Sequence, residues 1–480
     1  MHSNQRSYSS RLTTSVLRAM SLFSGLQMVN IICSVVKIKL VALWLHASGI
    51  GLFGIYQSVI DTVSTLSDVG LRQSAVRDVA MNQSSQRRLA EVAIVVRKWS
   101  TFAGLLGATV IVGASPLLSQ WFFHSWWAVW GFVMLGIAMF LNSLTSGEQA
   151  LLQGSGKLRA LARGNLWGTV SGFIASVPLF YFLGPQSVAL SIVAYSIAMY
   201  ASMRRARLRT VAPPAAIGLR QIWMKGKGFA RLGLYMAIAA FVTSLAHTIF
   251  TALLNATEGI DNLGYVQAGD TIIVRYLGLI FTAIGMEFYP RLAAARHKRA
   301  MQTYVNHEIV LLMILLTPLL ILFIMARGSM LKLLYTNDFM VIIPFITWGA
   351  LASIPKAISW CMAFTIICRG DGKIYVLTET LDAIISVPLC YLAFKYHGFA
   401  GLGIAYIIWY LLYALLTGTV FYCRYGLRLN RHVTRTSILA TICCLTAITV
   451  KETLSPLLST CVMLAIAACF IPPLRRLMRR

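Results

Sequence analysis

Acidic residues are scarce in this chain, with 15 Asp and Glu among 480 residues, and charge of either sign makes up only 12% of it. Water-soluble domains carry about 25% charged residues, so the deficit excludes a soluble globular protein. There is no CxxC, no HExxH and no clustered His/Asp set with metal-ligand spacing, so no metal site and no catalytic centre is expected. The nine cysteines fall mostly inside apolar runs, where a thiol packs as a small hydrophobe, and no disulfide is expected. A nucleotide-binding P-loop is missing too. Gly154-Ser155-Gly156-Lys157 and Gly370-Asp371-Gly372-Lys373 lack both the glycine five residues earlier and the Ser or Thr after the lysine, and read as tight turns. The polar N-terminus runs into a long span with no small-residue cleavage site, so no cleaved signal peptide is expected.

What the chain does have is hydrophobic residues, 58% of the total, with a mean hydropathy of +0.72. Apolar runs recur at 16–36, 50–71, 90–114, 125–147, 160–182, 184–203, 231–254, 264–287, 306–326, 340–367, 374–394, 399–422, 436–450 and 454–473. Each is near the roughly 20 residues a bilayer needs, except 436–450, which is short and leaves its crossing open. The formal charge of +27 is distributed as a topology signal. Most Lys and Arg lie in the N-terminus, the even-numbered loops and the C-terminal tail. The odd-numbered loops and their span ends hold only Lys37, Lys39, Arg327, Lys332, Lys395 and Lys451. The positive-inside rule then places both termini in the cytoplasm, and a nucleic-acid partner is not expected.

Short strings repeat in order. Phe53-Gly54-Ile55-Tyr56-Gln57 returns as Leu263-Gly264-Tyr265-Val266-Gln267, the GSGK turn returns as GDGK, and Ser176-Val177-Pro178-Leu179 returns as Ser386-Val387-Pro388-Leu389, at offsets of about 210 to 216 residues. Six spans per repeat give two copies of one orientation, an arrangement that puts a substrate path between halves. The expected architecture is an all-α polytopic membrane protein of 12–14 spans. It has an N-terminal six-helix lobe (1–203), a basic cytoplasmic linker (204–230), a C-terminal six-helix lobe (231–425), and extra helices with a basic tail (426–480). The linker, with its RRARLRT run and Pro213-Pro214 pair, reads as an anchor against anionic headgroups.

Charges at membrane depth are where function is sought, because each costs roughly 2.5–3.5 kcal/mol at a helix centre and such groups face a bundle interior or a cavity. The bases are Arg72, Arg275 and Lys356, with Lys37 at the outer end of the first span; the acids are Asp61, Asp68, Asp270, Glu379 and Asp382. On an α-helix Asp68 and Arg72 each fall within about 20° of Asp61, on opposite sides of it, with Gln57 on the same stripe. Asp68 and Arg72 are spaced for an ion pair, so they either glue helices or touch substrate. Asp61 has no basic residue within a turn and reads as a protonatable group. Asp270 and Arg275, five apart, sit about 140° apart on an α-helix and are not expected to point at one spot. Lys356 follows Pro355, where a broken helix frees carbonyls beside a cavity. Glu379 and Asp382, three apart on one face, resist joint ionisation and suit a proton or sodium site. His247, beside Thr243, Ser244 and Thr248, reads first as a helix-contact residue. Buried cations in a transport path suit an anion such as phosphate.

Three stretches carry a family resemblance: GLFGIYQ and LSDVGLRQSAVRDVA within Gly51–Ala80, EQALLQGSGKLRALARGNL (Glu148–Leu166), and LGYVQAGDTIIVRYLGLIFTAIGMEFYPRLAA (Leu263–Ala294). Over roughly residues 15–425 the chain resembles the Wzx-type oligosaccharide flippases, polysaccharide transporters of the MOP superfamily, with Asp68 at that family's DxGL position. The resemblance implies two six-helix lobes around a central cavity that alternates between membrane faces. It also implies movement of an undecaprenyl-pyrophosphate-linked oligosaccharide across the bacterial inner membrane for O-antigen or capsule assembly, without an enzymatic step. On that reading Arg72, Arg275, Lys356, Asp68, Gln57 and Lys37 line the substrate cavity, and Asp61, Asp270, Glu379 and Asp382 are candidates for coupling to H+ or Na+, with no cofactor. Expected partners are the lipid-linked oligosaccharide, membrane lipids and the polysaccharide polymerase and chain-length machinery, and the protein is expected to be a monomer. A multidrug exporter of the same fold generally needs an acid in its N-terminal lobe, whereas the first span here has none. A lipid II flippase would share the helix count and cationic cavity. A membrane glycosyltransferase would show a sizeable catalytic loop, and the longest outer loop is about a dozen residues.

Overall fold

A computed structural model describes residues 2–68, 71–82, 85–208, 234–295, 297–453 and 462–463, leaving aside the side chains of 2–31, 68, 71–74, 77, 283, 286–287, 290 and 293–294. Among these residues the chain is helical throughout. The helices are α1 (His2–Asp68), α2 (Leu71–Met81), α3 (Gln86–Phe123), α4 (Val129–Gly154), α5 (Leu158–Leu183), α6 (Ser187–Leu208) and α7 (Leu234–Asp270). After a π-helical turn (Thr271–Tyr276) come α8 (Gly278–Ala294), α9 (Lys298–Leu334), α10 (Ile343–Leu351), α11 (Ser353–Cys368), α12 (Gly372–Thr419) and α13 (Arg431–Thr453). They group into two compact units, Met1–Ala256 and Thr257–Arg480.

Eight helical stretches, or nine counting one bent pair, are long and apolar enough to cross a membrane. Six of them run well past the roughly 20 residues of a single pass, and four of these contain a residue with non-helical backbone: His46, Gly184, Gly259 or Gly398. In the first unit α5 and α6 fold back on each other about Gly184. Gly164, Gly168 and Gly172 face Met203, Met199 and Tyr195, so closely that a Cβ on any of the three would crowd its opposite side chain. In the second unit the arms of α12 fold back about Gly398. The thirteenth expected span is real as a helix: α13 has 23 residues and lies against α9, well beyond the 15 read from the sequence. The fourteenth lies outside the described residues apart from 462–463.

The repeat is written into the backbone. Gly184 (φ 61°, ψ −148°) and Gly398 (φ 58°, ψ −144°) take the same left-handed conformation, as do Gly156 (φ 68°) and Gly370 (φ 74°) in the two GxGK turns. Gly259 (φ 84°, ψ 167°) has His46 (φ 56°, ψ −157°) as its partner, and there a side chain occupies a region that is essentially glycine's.

Candidate functional site

The second unit gathers charge where three helices touch. Gly269 of α7, Gly349 of α10 and Gly403 of α12 meet Phe345, Ile273 and Trp348 at distances that leave no room for a Cβ. This close approach places Asp270, the next residue after Gly269, inside the bundle. Its carboxylate is buried and accepts a hydrogen bond from the Tyr406 hydroxyl at 2.6 Å. Asp270 also opens the π-turn, in which Leu277 N–H reaches back five residues to the Ile272 carbonyl at 3.2 Å. Turns of this kind are rare and cluster at functional sites. The wider turn replaces the 100° step on which the expected 140° rested, and the exposed Arg275 guanidinium stands within electrostatic range of Asp270.

Lys356 comes to the same place from α11. The span bends by 41° between α10 and α11, three residues before Pro355, whose missing N–H leaves the Leu351 carbonyl without its helical donor. The broken helix expected at Pro355 is therefore present. Lys356 Nζ lies 5.6 Å from the Phe281 ring centroid and 5.1 Å from that of Tyr410, within electrostatic range of Asp270. Cation–π contacts of this kind are worth about 2 kcal/mol when desolvated, comparable with the cost of placing the charge at depth.

The remaining acids are dressed by aromatic donors on the second arm of α12. Trp409 Nε1–H donates to Asp382 at 2.7 Å and the Tyr413 hydroxyl donates to Glu379 at 2.6 Å. These pairs nest about Gly398, as antiparallel arms require. Tyr406, Trp409, Tyr410 and Tyr413 share one helix face, Trp409 and Tyr410 stack at 4.6 Å, and Tyr410 stands within electrostatic range of Asp270, Glu379 and Asp382 together. Sequence reasoning about charge missed these aromatics. Their i, i+3, i+4, i+7 spacing was the available signal.

The first unit holds its depth charges separately. Lys37 Nζ lies 4.9 Å from the Phe53 ring, 5.0 Å from Tyr195 and 5.9 Å from Phe180, three rings from three helical arms. It forms no salt bridge among the described residues. The bare Gly172 backbone is what admits the Tyr195 ring. Asp61, read from the sequence by its lack of a nearby base, accepts a hydrogen bond from Gln57 Nε2 at 2.7 Å, so these two expected site residues form one local pair. Thr62 Oγ1 bonds Thr248 Oγ1 at 2.7 Å and Ser244 Oγ at 3.1 Å, fastening the first arm of α7 to α1, while exposed His247 sits on a different face. Asp68 and Arg72 fall outside the described side chains, so their pairing has no counterpart here. Glu148, passed over in the sequence as a span end, is buried in an ion pair with buried Arg207 and lies 3.5 Å from Arg97 Nε.

Comparison with known proteins adds the family. Residues 40–344 match the family described as Polysaccharide biosynthesis protein, well over half of the chain. The chain belongs to that family. Among relatives of this polysaccharide biosynthesis protein, a candidate O-antigen transporter of Shigella flexneri is 24% identical over 76% of the chain and 88% of its own length. The lipid III flippase of Escherichia coli K12 is 21% identical over 80% and 92%. In fold it is similar to the lipid II flippase MurJ in an inward closed conformation, with TM-score 0.74 at 12% identity, covering 96% of this chain and 100% of that one. An inward-facing multidrug resistance MATE family transporter of the MOP superfamily gives 0.66 at 14% identity over 87% and 99%. The chain is thus an all-α, multi-span membrane protein with the MOP transporter fold.

Proposed function

We propose that this protein is a flippase that carries an undecaprenyl-pyrophosphate-linked oligosaccharide repeat unit across the bacterial inner membrane by alternating access, for O-antigen or capsule assembly. The observation that carries this reading is that Lys356, set over aromatic rings, and Arg275 both stand within electrostatic range of one buried carboxylate in an apolar span. Fixed cations suit a pyrophosphate, and aromatic faces suit both sugar rings and a buried ammonium. Lys37 in its three-ring cage and Arg72 supply further positive charge in the first unit. The reading places both termini in the cytoplasm, treats the protein as a monomer, and draws the driving force from H+ or Na+ through Asp61, Asp270, Glu379 and Asp382. Its partners are the lipid-linked oligosaccharide, surrounding lipids and the polymerase and chain-length machinery.

A multidrug antiporter of the same fold is disfavoured because the first span offers a caged lysine where a cationic drug would need an acid. A lipid II flippase differs only in cargo, which assay decides. In a deletion strain, complete lipid-linked repeat units should accumulate facing the cytoplasm. Arg275→Ala or Lys356→Gln should then restore little export per molecule of protein. Full export by both variants would sink the cationic path.

A further inference from the structure

We infer that Asp270 is a resident counter-anion that competes with the substrate's pyrophosphate for Lys356 and Arg275, an inference resting on the anion-transport reading above. The geometry motivates it. Both depth cations of the second unit stand within electrostatic range of one buried carboxylate: Lys356 lies just after the break before Pro355 and over Tyr410, one turn from the Tyr406 that bonds Asp270, and Arg275 lies in the π-turn that follows Asp270. The Tyr406 hydroxyl holds the carboxylate in position at 2.6 Å, and Cys390 and Tyr410 of α12 complete its electrostatic neighbours.

Two cations with no internal anion would bind a pyrophosphate tightly and release it slowly. Transport requires a site favourable enough to enter and weak enough to leave. A carboxylate within electrostatic range of Lys356 and Arg275 supplies that weakening, because part of their field is already met before substrate arrives. When substrate departs, Asp270 reclaims them and no bare charge is left in the membrane. A purely structural ion pair predicts the opposite response to mutation: removing the acid would loosen the site and weaken binding.

The experiment uses the full chain purified in detergent, with farnesyl pyrophosphate as the probe and farnesol as the control for the apolar tail. Asp270→Asn should tighten pyrophosphate binding by about tenfold, since a nearby opposite charge changes an ionic equilibrium by about that factor. Farnesol binding should stay unchanged, and export in cells should slow because release becomes limiting. Asp270→Glu should keep the parental affinity, and the gain should vanish in an Asp270→Asn, Lys356→Gln double variant. Asp270→Ser serves if the Asn variant does not stay monodisperse. Unchanged or weaker pyrophosphate binding in a folded, charge-neutral variant overturns the inference. If Lys356→Gln and Arg275→Ala lose the probe while Asp270→Asn gains nothing, only the counter-anion role falls. If those two variants bind the probe as well as the parent, the cationic site itself falls, and this inference with it.

Discussion

The two units hold a half-buried lysine in different ways. Neither forms a salt bridge among the described residues, but Lys37 is surrounded by Phe53, Tyr195 and Phe180, whereas Lys356 has two rings and stands within electrostatic range of Asp270. Rings soften the cost of burying a cation without neutralising it, so the first unit keeps a standing positive charge. A carboxylate makes the second unit's charge conditional on what else is bound. The same contrast recurs where each unit fastens its last core helix. Arg207 and Glu148 form a buried pair in the first unit, while Arg424 and Asp371 form an exposed one in the second.

The largest expected effect lies in that first fastening. Arg207→Met leaves Glu148 buried, with half-exposed Arg97 at 3.5 Å and exposed Arg204 within electrostatic range. Breaking a buried pair by removing one partner costs about 3–5 kcal/mol. Thermal unfolding in detergent should show a large loss, and Glu148→Gln on the same background should recover most of it. If Arg207→Met melts with the parent, the buried pair contributes nothing and the contrast between the units dissolves.

The two lysines should respond with opposite signs. Lys356→Met strands Asp270 with one cation fewer, and about 2–3 kcal/mol of destabilisation is expected. Lys37→Met removes a depth charge costing roughly 2.5–3.5 kcal/mol and replaces a cation–π contact of about 2 kcal/mol with sulfur–aromatic packing. Its melting temperature should be unchanged or higher. Equal losses in both variants would show that a hidden anion partners Lys37 after all.

These contrasts also mark what could be read without coordinates. Spans were legible because a bilayer demands long apolar runs, and the repeat was legible in the GSGK and GDGK turns because Gly156 and Gly370 both need a left-handed backbone, whereas the matching Gly184 and Gly398 emerged only from the fold. The break beside Lys356 was legible because proline lacks a donor. The site was not, for two reasons. The angle between Asp270 and Arg275 depends on a π-turn whose residues, Thr271–Tyr276, carry no local signature that an α-helix would refuse. The partners of Asp270, Glu379 and Asp382 come from residues 27 to 136 positions away, brought in by the Gly398 reversal and by glycines that let helices touch. Asp61 shows the reverse case: its partner Gln57 was one turn away, and a search for bases alone passed over an amide donor.

The smallest effect should come from the second fastening, and it has a pH signature. Arg424 bonds Asp371 through Nε at 3.1 Å and Nη2 at 3.3 Å, and the Tyr425 hydroxyl adds a bond at 2.6 Å. The guanidinium and the phenol together hold the Asp371 carboxyl below its ordinary range. A carboxyl whose folded-state affinity for protons is depressed contributes stability above the unfolded-state value of about 3.9, and loses it as pH falls through the lower folded value. Because the pair is exposed, solvent and salt screen most of it. Arg424→Ala should therefore lower the melting temperature slightly at pH 7 and low salt, less at high salt, and not at all once Asp371 is protonated in both states. A loss as large as that of Arg207→Met, or one that survives acid and salt, would mean that Arg424 fastens α12 through something other than this ion pair, and that burial does not separate the two units.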